Sequence, residues 1–331
     1  MTTTLPSVPS LAVAPPPSDS FPAHPASWYL FGTSAELRAG PMSKPLLGKQ
    51  LVAFRTASGK AAVLDAHCAH LGADLGQGCV VGESLQCPFH HWQYAADGRC
   101  TKLPGLSEIP AFARQTRYSV EERHGLVFFF NGRAPLFPLP FFFDAEPERY
   151  VAGRLFSYVA DCSWYMNAAH AFDTQHFAAV HDRRLLAPPQ IDEPAPFARR
   201  NRYRAEVIGR TIFDRLLRRF AARTVEISLT ICGGTFALVT GDFGRTQSRF
   251  MIVMHPLENG QTRCDGLVFV PRGALPLLDA ARLELRRLFT RAYLADEART
   301  LRGTRYRPAS LTTADHDMTD FFHWLAALPQ S

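Results

Sequence analysis

The chain has 331 residues, enough for two domains that each bury a core, and its 47% hydrophobic and 20% charged residues exclude a disordered protein. Its net charge of +6 comes almost entirely from arginine, without the long basic runs or zinc-finger spacings of nucleic-acid-binding proteins. The charge therefore indicates an ordinary solvated surface or a docking face for an acidic electron-transfer partner, and no nucleic-acid partner is expected.

The beginning of the chain is rich in Pro, Ser, Thr and Ala and lacks the segments of a secretory signal, so we expect a flexible extension over residues 1–27. Seven cysteines without such a signal indicate the reducing cytoplasm, where Cys and His together favour metal binding over disulfides. The most apolar stretch, Leu126 to Phe143, contains Asn131, Arg133 and three prolines, which excludes a membrane-spanning helix.

Short β-like runs separated by turn residues fill the region from Trp28 to about Arg133. Two pairs of runs flank Ser58-Gly59 and Gly82-Glu83, and a further run precedes Asp97-Gly98. This pattern predicts a small antiparallel β domain over residues 28–135, with its last strand at Leu126–Phe130 and a proline-stiffened linker after it.

The second part of the chain, residues 136–331, mixes strand and helix patterns. Leu155–Ala160 predicts a strand, Trp164–Val180 a helix, and the polar stretch from Asp182 to about Pro196 a loop. Further strands are predicted at Val225–Cys232, Phe236–Thr240, Arg249–His255 and Leu267–Val270, and two helices at Leu275–Leu301 and about Asp317–Leu328. A sheet with helices gathered on one side is an α+β arrangement.

Four potential ligands form a spaced pair of motifs in the first domain. Cys68 and His70 give C-x-H, and Cys87 and His90 give C-x-x-H, each in a tight loop beside a hairpin. Two such loops facing each other can hold both cysteines on one iron and both histidines on the other, which is the Rieske form of a [2Fe–2S] cluster. A Cys₂His₂ zinc site is the alternative, but zinc fingers pair Cys with Cys and His with His.

The sequence around these ligands resembles the Rieske domain of ring-hydroxylating and related non-haem iron oxygenases. It differs from respiratory Rieske proteins, whose two additional cysteines match Ala73 and Phe89 here. The neighbouring His67 and His91 break the ligand spacing, and supporting or packing roles suit them better. The resemblance implies an N-terminal β Rieske domain followed by a helix-grip-like catalytic domain with an antiparallel sheet.

A second metal motif lies on the helix predicted from Trp164. Asp173, His176 and His181 give D-x2-H-x4-H, and oxygen activation needs a metal with open positions such as Fe(II) in a site of two histidines and one carboxylate. Alone, Asp-x-x-His is more often an exposed polar pair or a helix cap. The resemblance to the oxygenases implies that His176 and His181 bind the mononuclear iron and that Asp173 connects it to a cluster histidine of the neighbouring subunit.

The third ligand implied by the resemblance is a carboxylate just before or within the last helix. Asp315 is the preferred candidate, since an acidic residue, Asp320, follows five positions later; Asp317 is the alternative. Helix capping is the competing explanation for these acidic residues. Monooxygenase members of the family often have Asn three residues before the connecting Asp, where this chain has His170. A hydrogen-bonding role could pass to His170 or to nearby Asn167, and His170 could also lie near the iron or simply pack in the core.

The resemblance further implies a redox chain. Electrons from NAD(P)H would reach the cluster through a ferredoxin or flavin reductase, and O₂ would be the co-substrate at Fe(II). Transfer between subunits requires a ring, most often a homotrimer in the family. A Rieske electron carrier without oxygenase activity is the alternative from another class.

The substrate prediction rests on closer likeness within the family. Cys87-Pro-Phe-His-His-Trp92 and Asp173-Thr-Gln-His176 look like arylamine-oxidising members of the aminopyrrolnitrin oxygenase type. We therefore expect a small apolar, aromatic substrate in secondary metabolism, with N-oxygenation first and C–H hydroxylation or desaturation of a steroid-like molecule as alternatives. Aromatic residues on the metal-site helix either line this pocket or belong to the core, namely Trp164, Phe172 and Phe177, with Met166 beside them.

Overall fold

A computed structural model describes residues 13–210, 215, 218, 219 and 223–331. The chain divides into two compact units, one formed by residues 26–139 and the other by residues 140–330 together with the segment before Ala26. The first unit includes residues 28–135, the range in which the β domain was predicted. In the described part of the chain, no helix has both the length and the apolar composition that crossing a bilayer requires.

The first unit is built almost entirely from antiparallel strands. Its six-stranded sheet has the order β1-β10-β9-β4-β3-β2, and a separate four-stranded sheet has the order β5-β6-β7-β8. One short helix, α1 (Ser34–Ala39), follows the first strand. The strands are β1 (Trp28–Thr33), β2 (Met42–Leu46), β3 (Lys49–Arg55), β4 (Ala61–Asp65), β5 (Cys79–Val81), β6 (Ser84–Gln86), β7 (Gln93–Ala95), β8 (Cys100–Lys102), β9 (Arg117–Arg123) and β10 (Leu126–Phe130).

The turn residues that predicted this β unit have the backbone conformations that such turns need. Gly59, Gly82 and Gly98 all have φ between 60° and 89°, a region that favours glycine. At Gly98 a side chain is excluded twice, because a Cβ would also lie 2.2 Å from the backbone oxygen of Gln115. The prediction of a small antiparallel β domain is confirmed.

The second unit contains one antiparallel sheet of nine strands. Seven follow the order β11-β19-β18-β17-β16-β15-β13, while β12 also pairs with β19 and β14 with β15. The strands are β11 (Tyr150–Ala152), β12 (Phe156–Ala160), β13 (Arg183–Leu185), β14 (Gln190–Ala195), β15 (Ala198–Val207), β16 (Thr224–Cys232), β17 (Phe236–Asp242), β18 (Gln247–Pro256) and β19 (Thr262–Pro271). The described α-helices are α2 (Trp164–Ala169), α3 (Thr174–Ala179), α4 (Pro276–Thr300) and α5 (His316–Ala326).

Helices cover one face of this sheet and enclose the main core. Alternate residues of β18 (Phe250, Ile252 and Met254) enter the same buried cluster as Leu283 and Leu294 of α4. Helix α4 contacts β12 and β19, and α2 contacts α5. The α+β prediction is confirmed.

Three predictions about the second unit need correction. The helix predicted over Trp164–Val180 is interrupted, because a 3-10 turn at His170–Phe172 separates α2 from α3. The loop predicted after Asp182 contains β13 and β14. Strand β15 was not predicted, because four arginines and one glutamate along it obscure the alternation of apolar and polar residues.

The described part of the predicted N-terminal extension is packed rather than flexible. The indole nitrogen of Trp164 donates to the carbonyl of Pro22 at 3.2 Å. The ring of Phe21 stacks on Tyr165 with centroids 4.1 Å apart. Phe21 and Pro22 thus contact the second unit, while residues 1–12 of the predicted extension lie outside the described residues.

Candidate functional site

The two predicted cluster loops follow strands β4 and β6 and bring their cysteines together. The backbone N–H of Cys68 donates to the carbonyl of Ala73, and that of Cys87 donates to the carbonyl of Trp92. These hydrogen bonds close both loops tightly. Both side chains are buried, and the two thiols are close enough to interact. Burial raises the pKa of the Cys68 thiol, so a cation is needed to hold it as a thiolate.

The two histidines of these loops lie outside the cysteines and face each other. The ring centroids of His70 and His90 are 4.7 Å apart, and both side chains are exposed. The Trp92 ring stacks on His70 with an interplanar angle of 6°, which fixes the orientation of the imidazole. Two buried sulfurs and two exposed imidazoles fit a cluster whose two irons have different ligands.

A buried tyrosine adds a hydrogen bond to this site. The hydroxyl oxygen of Tyr94 lies 3.1 Å from Sγ of Cys68, and the tyrosine side chain is fully buried. A hydrogen-bond donor to a cluster sulfur favours the reduced, more negative state. Sequence analysis missed Tyr94 because it lies seven residues after Cys87, outside the ligand motif.

The two neighbouring histidines have other positions. Nδ1 of His67 is 3.2 Å from the backbone oxygen of Gly72, within its own loop. His91 is exposed and has φ of 58°, in the left-handed region that favours glycine. Glycine would adopt this backbone conformation at a lower energetic cost than histidine.

In the second unit, His176 and His181 face the carboxylate of Glu297. Nε2 of His176 is 3.1 Å from Oε2 of Glu297, and Nε2 of His181 is 2.7 Å from Oε1. One ligand atom from each of the three residues lies within 4.8 Å of the other two. Two imidazoles and one carboxylate facing a common point are the donor set that suits Fe(II) with open positions.

The end of α3 allows His176 and His181 to meet. Residues five apart on a continuous helix point about 140° away from each other. Helix α3 ends at Ala179, and Asp182 has φ of 50°, so the chain turns back beyond the helix. The two rings consequently lie 4.9 Å apart.

Glu297 belongs to the buried face of α4, which also carries two leucines. Leu283, Thr290, Leu294 and Glu297 are all buried, with only 3% of Glu297 exposed. Burial alone would raise the pKa of its carboxyl, but hydrogen bonds from His176 and His181 and the charge of His170 lower it well below its ordinary value. Glu297 is therefore an anion within the core.

The predicted third carboxylate, Asp315, is not beside these histidines. Its Oδ2 accepts hydrogen bonds from the backbone and hydroxyl of Thr312, forming a capping box, and its Oδ1 accepts from Gln175. The capping explanation thus accounts for Asp315, and Glu297 replaces it in the candidate metal site. Asp317 lies beside His316, and Asp320 pairs with Arg199.

Asp173 is the N-cap of α3 rather than a residue on its surface. Its Oδ1 accepts hydrogen bonds from the backbone nitrogens of Gln175 and His176. It therefore fixes the start of the helix that carries His176. The role implied by the resemblance, connecting two metal centres across subunits, stays a prediction.

The aromatic residues considered as pocket walls belong to the core. Trp164, Phe172 and Phe177 are each at most 3% exposed. Phe172 stacks on Phe321 with centroids 3.8 Å apart, and Phe177 packs on Tyr203. The exposed aromatic ring at the metal site is instead Tyr293, which stacks on His181 and is 43% exposed.

Comparison with known proteins agrees with the geometry of both units. The family model for the Rieske [2Fe–2S] domain matches residues 27–113. The N-terminal unit is a Rieske domain. Aminopyrrolnitrin oxygenase PrnD of Pseudomonas fluorescens is 37% identical over 165 residues, covering 47% of this chain and 46% of that protein. The oxygenase component of 3-ketosteroid-9-alpha-monooxygenase from Rhodococcus rhodochrous is 36% identical over 124 residues, covering 37% and 32% respectively.

The fold similarity extends over both units. NdmA of Pseudomonas putida CBB5, in a mutant form solved with caffeine, has a TM-score of 0.69 and 22% identity, covering 91% of this chain and 89% of the other. The resemblance to Rieske-type oxygenases is confirmed. This chain spans less than half the length of the two sequence relatives.

The hydrogen bond from Tyr94 predicts a change in cluster potential. Tyr94→Phe should lower the reduction potential by some tens of millivolts, since about 1 kcal/mol corresponds to about 43 mV for one electron. Spectroscopic redox titration of the purified protein measures this. Tyr118→Phe is the matched control, because Tyr118 is also buried but donates to Asp65. Equal potentials in the Tyr94 variant and the unchanged protein would contradict the assigned hydrogen bond.

The positions of the two carboxylates predict different metal contents. Glu297→Ala should reduce iron from about three per chain to about two, because the mononuclear site loses its anionic ligand. Asp315→Ala should retain all the iron and lose only helix-capping stability of about 1 kcal/mol. Iron and acid-labile sulfide analysis checks both variants. If the Asp315 variant lost iron and the Glu297 variant did not, Asp315 would be the third ligand, as the sequence predicted.

Proposed function

We propose that this protein is a Rieske-type oxygenase. Cys68, His70, Cys87 and His90 would hold the [2Fe–2S] cluster, and His176, His181 and Glu297 would hold the mononuclear Fe(II). The convergence of the last three side chains in a chain that also has a Rieske domain is the observation that carries this proposal.

The mononuclear metal would supply open coordination positions for activating O₂. Three side chains of the protein would position this metal. Glu297 contributes a fixed negative charge from a buried helix face, and His176 is held by the start of α3 at Asp173. His181 stacks on the ring of Tyr293, so a substrate approaching from this side would meet that ring first.

We further propose that electrons arrive from NAD(P)H through a ferredoxin or flavin reductase. The exposed His70 and His90 put the cluster edge at the surface, where a partner can approach. Asp173 would connect this edge to the mononuclear site of a neighbouring subunit in a homotrimer. Its fixed position as the N-cap of α3, directly before the His176 turn, supports this role.

The proposed substrate is a small aromatic molecule, first of all an arylamine that undergoes N-oxygenation in secondary metabolism. The half-exposed Tyr293 ring beside His181 offers an aromatic surface for such a molecule. Similarity to an aminopyrrolnitrin oxygenase over 165 residues supports the same class. Hydroxylation or desaturation of a steroid-type substrate is the second candidate, since a 3-ketosteroid monooxygenase component is similarly related.

An electron carrier without oxygenase activity is the alternative from another class. A carrier would have no use for two imidazoles and a carboxylate gathered in its second unit. The burial of Glu297 also speaks against it, because a buried carboxylate is costly and is kept where a cation or a function requires it.

Replacing His176 tests the proposed activity. His176→Ala should abolish oxidation of an arylamine by the reductase-coupled enzyme, at least about 1000-fold, while the visible spectrum of the cluster stays unchanged. The measurement is product formation from a panel of arylamines and 3-ketosteroids under O₂, with the exposed His316→Ala as control.

Two results would contradict the proposal in different ways. Turnover that survives in His176→Ala would exclude the assigned metal site. An unchanged protein that accepts electrons at its cluster, binds no third iron and oxidises no member of the panel would favour the electron carrier instead.

A further inference from the structure

A cavity of about 270 Å³ lies between strands β15, β16 and β17 and the segment Phe142–Asp144 of the second unit. On β15, Asn201 donates to the carbonyl of Ala171 in the 3-10 turn before α3, so Asn201 faces the helices. Successive side chains of a strand point to opposite faces of the sheet, and Arg200 and Arg202 therefore face away from the helices. Both arginines line the cavity, which the sheet separates from the candidate metal site.

The charged side chains at this cavity are not balanced. Arg200 donates through Nε and Nη2 to both oxygens of Asp192, at 2.8 Å and 2.7 Å. Arg202 shares one of those oxygens, with its Nη2 2.9 Å from Oδ2. Beside them, Arg249 forms a two-pronged pair with Asp144, at 2.6 Å and 2.7 Å. These five side chains together carry one net positive charge.

Arg202 has hydroxyl groups and an aromatic surface close to it. The strand register places Arg202 opposite Ser228, and Ser228 opposite Thr240, so that a guanidinium and two hydroxyls form one row across the cavity. Phe142 and Phe143 also line the cavity, and Phe143 is 46% exposed. A molecule that covered this ring would gain from removing apolar surface from water.

We propose that this cavity binds a small aromatic carboxylate, at a site beyond the proposed function. The carboxylate pairs with Arg202, which contacts Asp192 through Nη2 and is 46% exposed at its side chain. The hydroxyls of Ser228 and Thr240 donate to the same group, while the aromatic ring lies against Phe143. One net positive charge suits a monoanion, because a more highly charged phosphate would be repelled by Asp144 in the cavity lining.

Isothermal titration calorimetry of the full-length, iron-loaded protein tests this proposal, with benzoate, neutral benzamide and inorganic phosphate as probes at low ionic strength. We expect saturable benzoate binding, and binding of benzamide and phosphate at least about 10-fold weaker, since a charge-assisted pair with arginine is lost or opposed. Arg202→Gln should weaken benzoate binding about 10-fold. Arg204→Gln is the matched control, because Arg204 is the next arginine on the same face of β15 and pairs with Glu226 outside the cavity lining.

Replacing His176 distinguishes this cavity from the metal site. His176→Ala should bind benzoate as tightly as the unchanged protein, because the two sites lie on opposite faces of the sheet. Loss of benzoate binding in His176→Ala, with full binding in Arg202→Gln, would place the ligand at the metal site and overturn the proposal. The oxygenase proposal would survive that result, because turnover tests it separately.

Two further results would also overturn the proposal. One is a protein that shows no saturable benzoate binding, and the other is phosphate binding as tight as that of benzoate. Phe143→Ala provides a second variant, since removing the ring should weaken benzoate several-fold and leave the weak phosphate binding unchanged. Circular dichroism shows whether each variant has folded, and the exposure of Arg202 and Phe143 leads us to expect that both variants do.

Discussion

The candidate metal site depends on one buried negative charge. Glu297 lies on the face of α4 that otherwise carries Leu283 and Leu294, so its carboxylate enters the core whenever that helix packs on the sheet. Removing a carboxylate from water is unfavourable unless opposite charge or donors compensate it. The surrounding imidazoles of His170, His176 and His181 provide part of that compensation, and a bound cation would provide the rest.

The two candidate centres are built in different ways. The cluster loops lie close together in the sequence, and the hairpins β5–β6 and β6–β7 bring them together over a short stretch of chain. The mononuclear site combines α3, the turn after it and the last part of α4, which lies more than a hundred residues later. Its geometry therefore depends on tertiary packing, including the stacking of Phe172 on Phe321.

This difference between a local motif and a site formed by tertiary packing explains which ligands the sequence could predict. Cys68, His70, Cys87 and His90 are recognisable because the spacing of a local motif is preserved when the loops fold. His176 and His181 are recognisable for the same reason, since both lie at one helix end. The interruption at Asp173 was missed, although an Asp before a helical segment is a common N-cap signal.

The spacing of residues in the sequence does not identify Glu297 as a metal ligand, because no ligand motif lies near it. The pattern of α4 nevertheless contained one indication that Glu297 is unusual. An acidic residue three positions after Leu294 and four before Leu301 lies in the apolar stripe of the helix, where an unpaired charge is unfavourable. Asp315 was predicted as the ligand instead, because acidic residues near the start of a helix serve both as caps and as metal ligands. Only the tertiary structure distinguishes the two uses.

Because the donors come from separate segments, metal binding and folding are coupled in the second unit. An ion held by α3, the chain after it and α4 would link these three segments. It also relieves the cost of keeping a carboxylate and several imidazoles close together without solvent. Both effects act on the folded state alone, since the unfolded chain does not bring these residues together, and the affinity for the metal therefore adds directly to the stability of the unit. If His176, His181 and Glu297 hold the proposed metal, the stability of the unit would depend on that metal.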